Sequence, residues 1–197
     1  MNLPNKLTIA RMILVPIMVI VPFFNIQGEW LSVPITFWII NFIFVIASIT
    51  DKLDGYIARS KNQVTTFGKF LDPIADKILV LAAMIMLVEF SKLPAWIPII
   101  VLTREFIVSG YRLIAVEKNG KVIAASVWGK LKTITQMLAI TLAFIDTNGF
   151  FTFINTKLTG FSLILNITSS VIMLISVIAT VFSGIDYIKG GKDLLKD

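Results

Sequence analysis

Asp51, Asp54, Asp72 and Asp76 stand at the edges of two oily runs in the stretch TDKLDGYIARSKNQVTTFGKFLDPIADKILV, Thr50 to Val80. A carboxylate close to a membrane core costs on the order of several kcal/mol unless it is paired, hydrated or bound to a cation, so such a cluster points to function. If the second helix continues past Ile49 to about Arg59, Asp51 and Asp54 stand at i and i+3 and share a face. Asp72 and Asp76 stand at i and i+4 at the start of the next helix, with Gly68 one turn earlier on the same stripe. Two acid pairs on neighbouring helices offer a set of oxygen ligands. Divalent cations would relieve their repulsion, and hard oxygen donors suit Mg²⁺ or Mn²⁺. Two such ions about 3.5–4 Å apart can clamp a phosphate and stabilise the leaving oxygen of a displacement.

The residues between the acids have two readings. Gly55 lies one turn from Asp51 and Ala58 one turn from Asp54, removing side-chain bulk where a substrate could approach the helix backbone. Small residues at four-residue spacing also let membrane helices pack closely. A single acid pair could equally be neutralised by Lys52, Lys69 or Lys77. Four acids at these spacings are harder to account for as solvated helix ends.

The elements that must position these groups are membrane helices. With 56% hydrophobic and only 15% charged residues, the chain is too apolar for a soluble domain, where the charged share is about 25%. Six apolar blocks run roughly Leu7–Phe24, Val33–Ile49, Leu71–Phe90, Trp96–Ala115, Val122–Phe144 and Phe161–Tyr187. The expected fold is all-α, a six-helix transmembrane bundle forming one domain over residues 1–197. Lys6, Lys52, Arg59, Lys61, Lys69, Lys118, Lys121, Lys189, Lys192 and Lys196 fall on one side, against Lys92 and Lys157 opposite. Both termini are therefore expected in the cytoplasm. That bias also accounts for the net charge of +6, which is dispersed among loops and does not indicate nucleic-acid binding. With no Cys and no His, thiolate and imidazole chemistry are excluded, and a catalytic base must be Asp, Glu, Lys or Tyr. NIQGEW after the first block offers no small-residue cleavage site, so that block reads as a retained helix rather than a signal peptide.

The run Asp51-x₂-Asp54-Gly55-x₂-Ala58-Arg59-x₈-Gly68-x₃-Asp72-x₃-Asp76 resembles the complete signature of the CDP-alcohol phosphatidyltransferases, with every fixed position present. The resemblance implies a six-helix enzyme with its site at the cytosolic face of the bacterial cytoplasmic membrane. It implies two Mg²⁺ or Mn²⁺ ions on Asp51, Asp54, Asp72 and Asp76, with Asp76 also taking the proton from the attacking hydroxyl. In that family an alcohol attacks the β-phosphorus of a CDP-linked lipid and CMP leaves. Gly55, Ala58, Arg59 and Gly68 would then border the CDP-lipid, and a homodimer is expected.

Within the family, PNKLTIARMILVP (Pro4 to Pro16), LTREFIVSGYR (Leu102 to Arg112) and SVWGKLKTITQ (Ser126 to Gln136) resemble members that use CDP-diacylglycerol and glycerol 3-phosphate. Arg104, Arg112, Lys130 and Lys132 place cations in apolar helices, where an anionic partner would justify them. Arg104, Arg112 and Lys130 are the candidates for gripping the acceptor phosphate, since Arg holds phosphate bidentately and Lys adds a mobile point charge. Arg104 could instead pair with Glu105 or Glu117, and Lys132 and Lys121 could snorkel to lipid headgroups. Asn5, Thr8 and Arg11 share one face of the first helix, which by resemblance borders the CDP moiety. Alternatively Asn5 caps the helix, Thr8 bonds its own backbone and Arg11 snorkels. A family relative using another acceptor, such as inositol phosphate, keeps the same aspartates. A cation transporter would put its acids near the midplane on broken helices, whereas these sit at block ends.

Overall fold

The computed structural model describes residues 2–60, 65–117 and 127–191, without the side chains of Asp54, Tyr56, Ala58, Arg59, Thr66, Phe67, Lys69, Phe70, Val116 and Glu117. The chain is mostly helical: α1 (Leu3–Ile20), α2 (Ile35–Ser60), α3 (Thr66–Glu89), α4 (Trp96–Glu117), α5 (Val127–Ile145), a single turn α6 (Thr152–Asn155) and α7 (Gly160–Gly190). Helix α1 starts earlier than its apolar block because the Asn2 side chain accepts from Asn5 N at 3.3 Å and Pro4 suits the first turn. The cap is therefore Asn2, not Asn5. Helix α2 runs to Ser60, carrying Asp51 and Asp54 in register as the spacing requires.

Between α1 and α2, a 3₁₀ turn at Val21–Phe24 leads to a small ribbon that hydropathy did not foretell. Strand β1 (Glu29–Trp30) pairs antiparallel with β2 (Val33–Pro34) through Leu31 and Ser32, whose φ of 54° and 61° define a tight mirror-image turn. Trp38 Nε1 donates to Trp30 O at 3.0 Å, fastening the ribbon to α2.

Among the described residues, three segments are long and apolar enough to cross a membrane: Leu3–Phe24, Ile35–Leu53 and Gly160–Gly190. Helices α3, α4 and α5 are 24, 22 and 19 residues long. They carry the charges of the site, which lower their apolarity. Large apolar side chains such as Phe42, Phe106, Leu113 and Phe161 face outward, while Arg11, Gln136, Asn166, Ser176 and Thr180 are buried. A surface apolar outside and polar within is what lipid surroundings favour, since polar groups there must find partners inside the protein.

The core centres on Ile40, Phe44, Leu79, Met84, Leu87, Ile97, Ile140 and Phe144, between two polar ends. Helix α7 packs against both α5 and α4, and it buries small residues there, including Ser176, Ala179, Thr180, Ser183 and Gly184, which let the helices approach closely. At one end, Lys92 is buried rather than lying in a solvated loop. Its Nζ donates to the carbonyls of Ala143, Phe144 and Asp146 at 3.4, 3.1 and 2.5 Å, closing the C-terminal end of α5, and it stands 3.8 Å over the Phe37 ring. Burial pushes the Lys92 ammonium down to about 8, against the opposing attraction of Asp146. The Asp146 carboxylate accepts from Asn166 and Ser169 at 2.7 Å each and from Asn148 N at 2.9 Å. The aspartates occupy the opposite end.

Candidate active site

Helix α1 is tied to the aspartates by its buried stripe. Arg11 Nη1 donates to Asp51 Oδ1 at 2.5 Å, with no solvent exposure on the Arg11 side chain and 30% on that of Asp51. Thr8 Oγ1 donates to Asp72 Oδ1 at 2.6 Å and lies 3.2 Å from Pro4 O. One turn earlier, Thr65 Oγ1 donates to Asn5 Oδ1 at 2.9 Å while accepting from Gly68 N at 3.0 Å as the cap of α3. Arg11 is thus drawn inward rather than toward the headgroups. Asn5, Thr8 and Arg11 fix α1 against the starts of α3 and the acidic turn of α2.

Gly68 has a structural reason to be glycine. A Cβ there would lie 3.2 Å from both Asn5 Oδ1 and Thr65 Oγ1 and 3.6 Å from Asp72 Oδ2. The space a side chain would fill is taken by the α1 contact. Gly55 is half-buried on α2 one turn beyond Asp51. The side chains of Asp54, Ala58 and Arg59 lie outside the described residues, as do Lys61, Lys118, Lys121, Lys192 and Lys196.

Asp51, Asp72 and Asp76 share the wall of one open cavity of about 600 Å³ with Lys77, Arg104, Glu105, Ser109 and Arg112. A side pocket of about 30 Å³ continues from Asp76, Lys77 and Glu105 to Lys132 and an apolar floor of Val80, Leu81, Val101 and Leu102. The helices therefore bring the acids of α2 and α3 opposite the cations of α4. Arg104 is held from three sides: Nη1 donates to Glu105 Oε1 at 3.0 Å, Nη2 donates to Ser183 Oγ at 2.5 Å, and the guanidinium stands 5.6 Å from the Tyr187 ring. Glycines make room for it, since a Cβ at Gly184 would lie 3.4 Å from Arg104 Cγ and one at Gly129 would lie 3.6 Å from Nη2. Arg112 Nη2 donates to the Tyr187 hydroxyl at 2.8 Å.

The basic residues of α5 divide differently from expectation. Lys130 is exposed and outside both cavity walls, whereas Lys132 is buried, lines the side pocket and pairs with Glu105. Lys132 does not snorkel. Sequence reasoning treats Glu105 only as a partner for Arg104 and Lys77 only as a neutralising partner for the acids, and it assigns no part to Ser109, Ser183 or Tyr187. Lys77 donates to Ser109 Oγ across the cavity. The one available signal for Ser183 and Tyr187 was their four-residue spacing near the polar end of the last apolar block.

The donor set facing the cavity is oxygen alone, in a chain with neither His nor Cys, which fits a hard divalent cation. Among the described residues no three acids converge closely enough to enclose an ion by themselves. Asp54, one turn beyond Asp51 on α2, would have to complete such a set.

A family model described as CDP-alcohol phosphatidyltransferase matches residues 1–182. The chain is 48% identical over 146 residues to the CDP-diacylglycerol–glycerol-3-phosphate 3-phosphatidyltransferase of Bacillus subtilis, covering 71% of this chain and 74% of the relative. A Haemophilus influenzae protein of the same name is 38% identical over 100% of this chain and 96% of its own length. A Rickettsia bellii protein, also of that name, is 36% identical over 97% of this chain and 96% of its own length.

Proposed function

The chain belongs to the CDP-alcohol phosphatidyltransferase family, and on that premise we propose that it transfers the phosphatidyl group of CDP-diacylglycerol to glycerol 3-phosphate, giving phosphatidylglycerophosphate and CMP. The observation that carries the reading is a single cavity whose walls set Asp51, Asp72 and Asp76 against Arg104 and Arg112. An anionic acceptor needs the cations, and a pyrophosphate donor needs charge compensation on the acidic side.

Asp51, Asp54, Asp72 and Asp76 would hold two Mg²⁺ or Mn²⁺ ions, which when bound supply positive charge at the pyrophosphate and at the leaving oxygen of CMP. The chain does the rest. Arg11 and Thr8 fix the orientation of Asp51 and Asp72, while Arg104 and Arg112 hold the acceptor phosphate by charge-assisted hydrogen bonds. Asp76, on the wall common to both cavities, takes the proton from the acceptor hydroxyl. That oxygen forms the new bond to the phosphatidyl phosphorus as the bond to the CMP oxygen breaks.

In the same reading α3, α4 and α5 also cross the bilayer, giving six crossings with both termini at the cytosolic face of a bacterial cytoplasmic membrane. Exposed Lys6, Lys52 and Lys189 at the aspartate end support that orientation. The acyl chains of the donor stay in the bilayer, and the acceptor enters from the cytosol. The working unit is a homodimer, which crosslinking in native membranes would check, a wholly monomeric pattern counting against it.

The deciding experiment incubates the purified chain and Mg²⁺ with CDP-diacylglycerol and, separately, glycerol 3-phosphate, inositol phosphate or serine. CMP and phosphatidylglycerophosphate should appear together with glycerol 3-phosphate. Product from another acceptor in its place would overturn the assignment.

A further inference from the structure

Glu105 is an acid inside a cavity otherwise suited to anions on that side. Its Oε1 accepts from Arg104 Nη1 on the same helix and from Lys132 Nζ on α5, with only 18% of its side chain exposed. Lys77 lines both of the cavities that Glu105 lines. One carboxylate oxygen therefore ties cations from two helices to a single point beside Asp76.

We propose that Glu105 is a positioning residue for the acceptor, holding the Arg104 guanidinium and the Lys132 ammonium as a preset pair that receives the acceptor's phosphate. The inference rests on the transferase reading given above. Its physical basis is donor arithmetic. A guanidinium has five N–H groups and an ammonium three. Arg104 commits Nη1 to Glu105 and Nη2 to Ser183, and its buried Nε has no partner among the described residues. Arg104 faces the open cavity and Lys132 the side pocket that continues from it past Glu105, and each cation keeps N–H groups not committed to Glu105. Without the carboxylate, two cations in a poorly solvated pocket repel each other, and the Lys132 side chain loses the contact that draws it inward. A Gln at this position offers one oxygen, and its amide N–H groups face a cation.

The opposite view is that Glu105 occupies the place of the acceptor phosphate and competes with it. The two views predict opposite signs. In steady-state kinetics on the full chain, Glu105→Gln should raise KM for glycerol 3-phosphate about tenfold, as for loss of one charge-assisted contact, and shift KM for CDP-diacylglycerol by less than about twofold. Inhibition by inorganic phosphate should weaken in parallel. Glu105→Asp, which keeps the charge, should fall between. The double variant Glu105→Gln with Lys132→Met should be no worse than the poorer single by more than about twofold, because both act on one contact. An acceptor KM that falls or stays unchanged overturns the proposal, as do equal rises for both substrates or fully additive losses. If Glu105→Gln does not fold by thermal unfolding, Glu105→Asp and Lys132→Met carry the same test on acceptor KM. Should wild-type protein use a different acceptor, the transferase reading fails separately. Weaker phosphate inhibition in the variant would still uphold the role of Glu105.

Discussion

Arg11 on α1 and Asp51 on α2 meet at 2.5 Å, forty positions apart in the chain, with the arginine wholly enclosed. The contact fixes a proposed metal ligand from behind and anchors the first helix. Replacing Arg11 by Met leaves Asp51 without that cation in a partly desolvated place. A loss of about 3 kcal/mol in stability is expected, the low end for a broken buried pair because Asp51 keeps 30% exposure. Arg11→Lys should recover part of it. Thermal unfolding in detergent compares the three chains, and equal midpoints would mean that the pair contributes nothing to the fold.

Removal of divalent metal should stop the reaction. Excess EDTA is expected to abolish CMP release, and Mg²⁺ or Mn²⁺ to restore it, because the proposed ligand set consists of carboxylates alone. Asp51→Asn or Asp72→Asn should shift the metal dependence to higher concentration, since each substitution removes a charged donor. Full turnover in chelator would remove metal from the mechanism.

Acceptor binding should separate from donor binding at the cations. Arg104→Ala and Arg112→Ala should each raise KM for glycerol 3-phosphate by more than that for CDP-diacylglycerol, since only the former loses its phosphate partner. The structure now ranks the two lysines of α5. Lys132→Ala should act on the acceptor, whereas Lys130→Ala, on the exposed face, should have little effect. If Lys130→Ala proves the more damaging of the two, the cavity walls do not describe the acceptor's place.

Those lysines also show where sequence reading stops. The aspartate spacing was legible because i, i+3 and i, i+4 positions share a face on any helix. Lys130 and Lys132 are two residues apart, about 200° around the axis, so only one can face the cavity, and hydropathy cannot say which. Glu105 beside Arg104 was legible as its neighbour in the chain, but Asp51 on Arg11 and Ser183 on Arg104 were not, since they arrive through helix packing rather than chain proximity. The ribbon at Glu29–Pro34 escaped notice because its turn uses Leu31 and Ser32 at positive φ, where glycine or asparagine is the usual sign. Lys92 looked like a loop cation and is instead a buried cap of α5.

That burial gives Lys92 a pH signature. Its ammonium is held down at about 8 in the folded chain, below the 10.5 of an unperturbed lysine. Between those values the unfolded chain binds more protons than the folded one, so stability should rise with pH through that window. Below about 8 both states are protonated, and the cost of burying the charge is present in full. Lys92→Met should flatten the slope between pH 8 and 10. It should also lower stability by about 1–3 kcal/mol, because carbonyls at the end of α5 lose their donor. Substrate KM values should hold, since Lys92 lies at the end remote from the aspartates. A slope unchanged by the substitution would assign the pH dependence to another group.

Asp76→Asn tests the proton acceptor. The amide keeps the size of the side chain and one oxygen able to touch a metal, but it cannot take the hydroxyl proton. A fall in kcat of about 10²–10⁴-fold is expected, with KM for both substrates changed far less. Loss of a metal ion could produce the same fall, so metal affinity and lipid-substrate binding must be measured on the variant alongside turnover. Normal metal and lipid binding with turnover reduced by that factor would assign the base to Asp76. Normal binding with wild-type turnover would move it to another carboxylate of the cavity. Asp72 is the first to examine, since it shares the α3 stripe and already accepts a hydrogen bond from Thr8 on one oxygen.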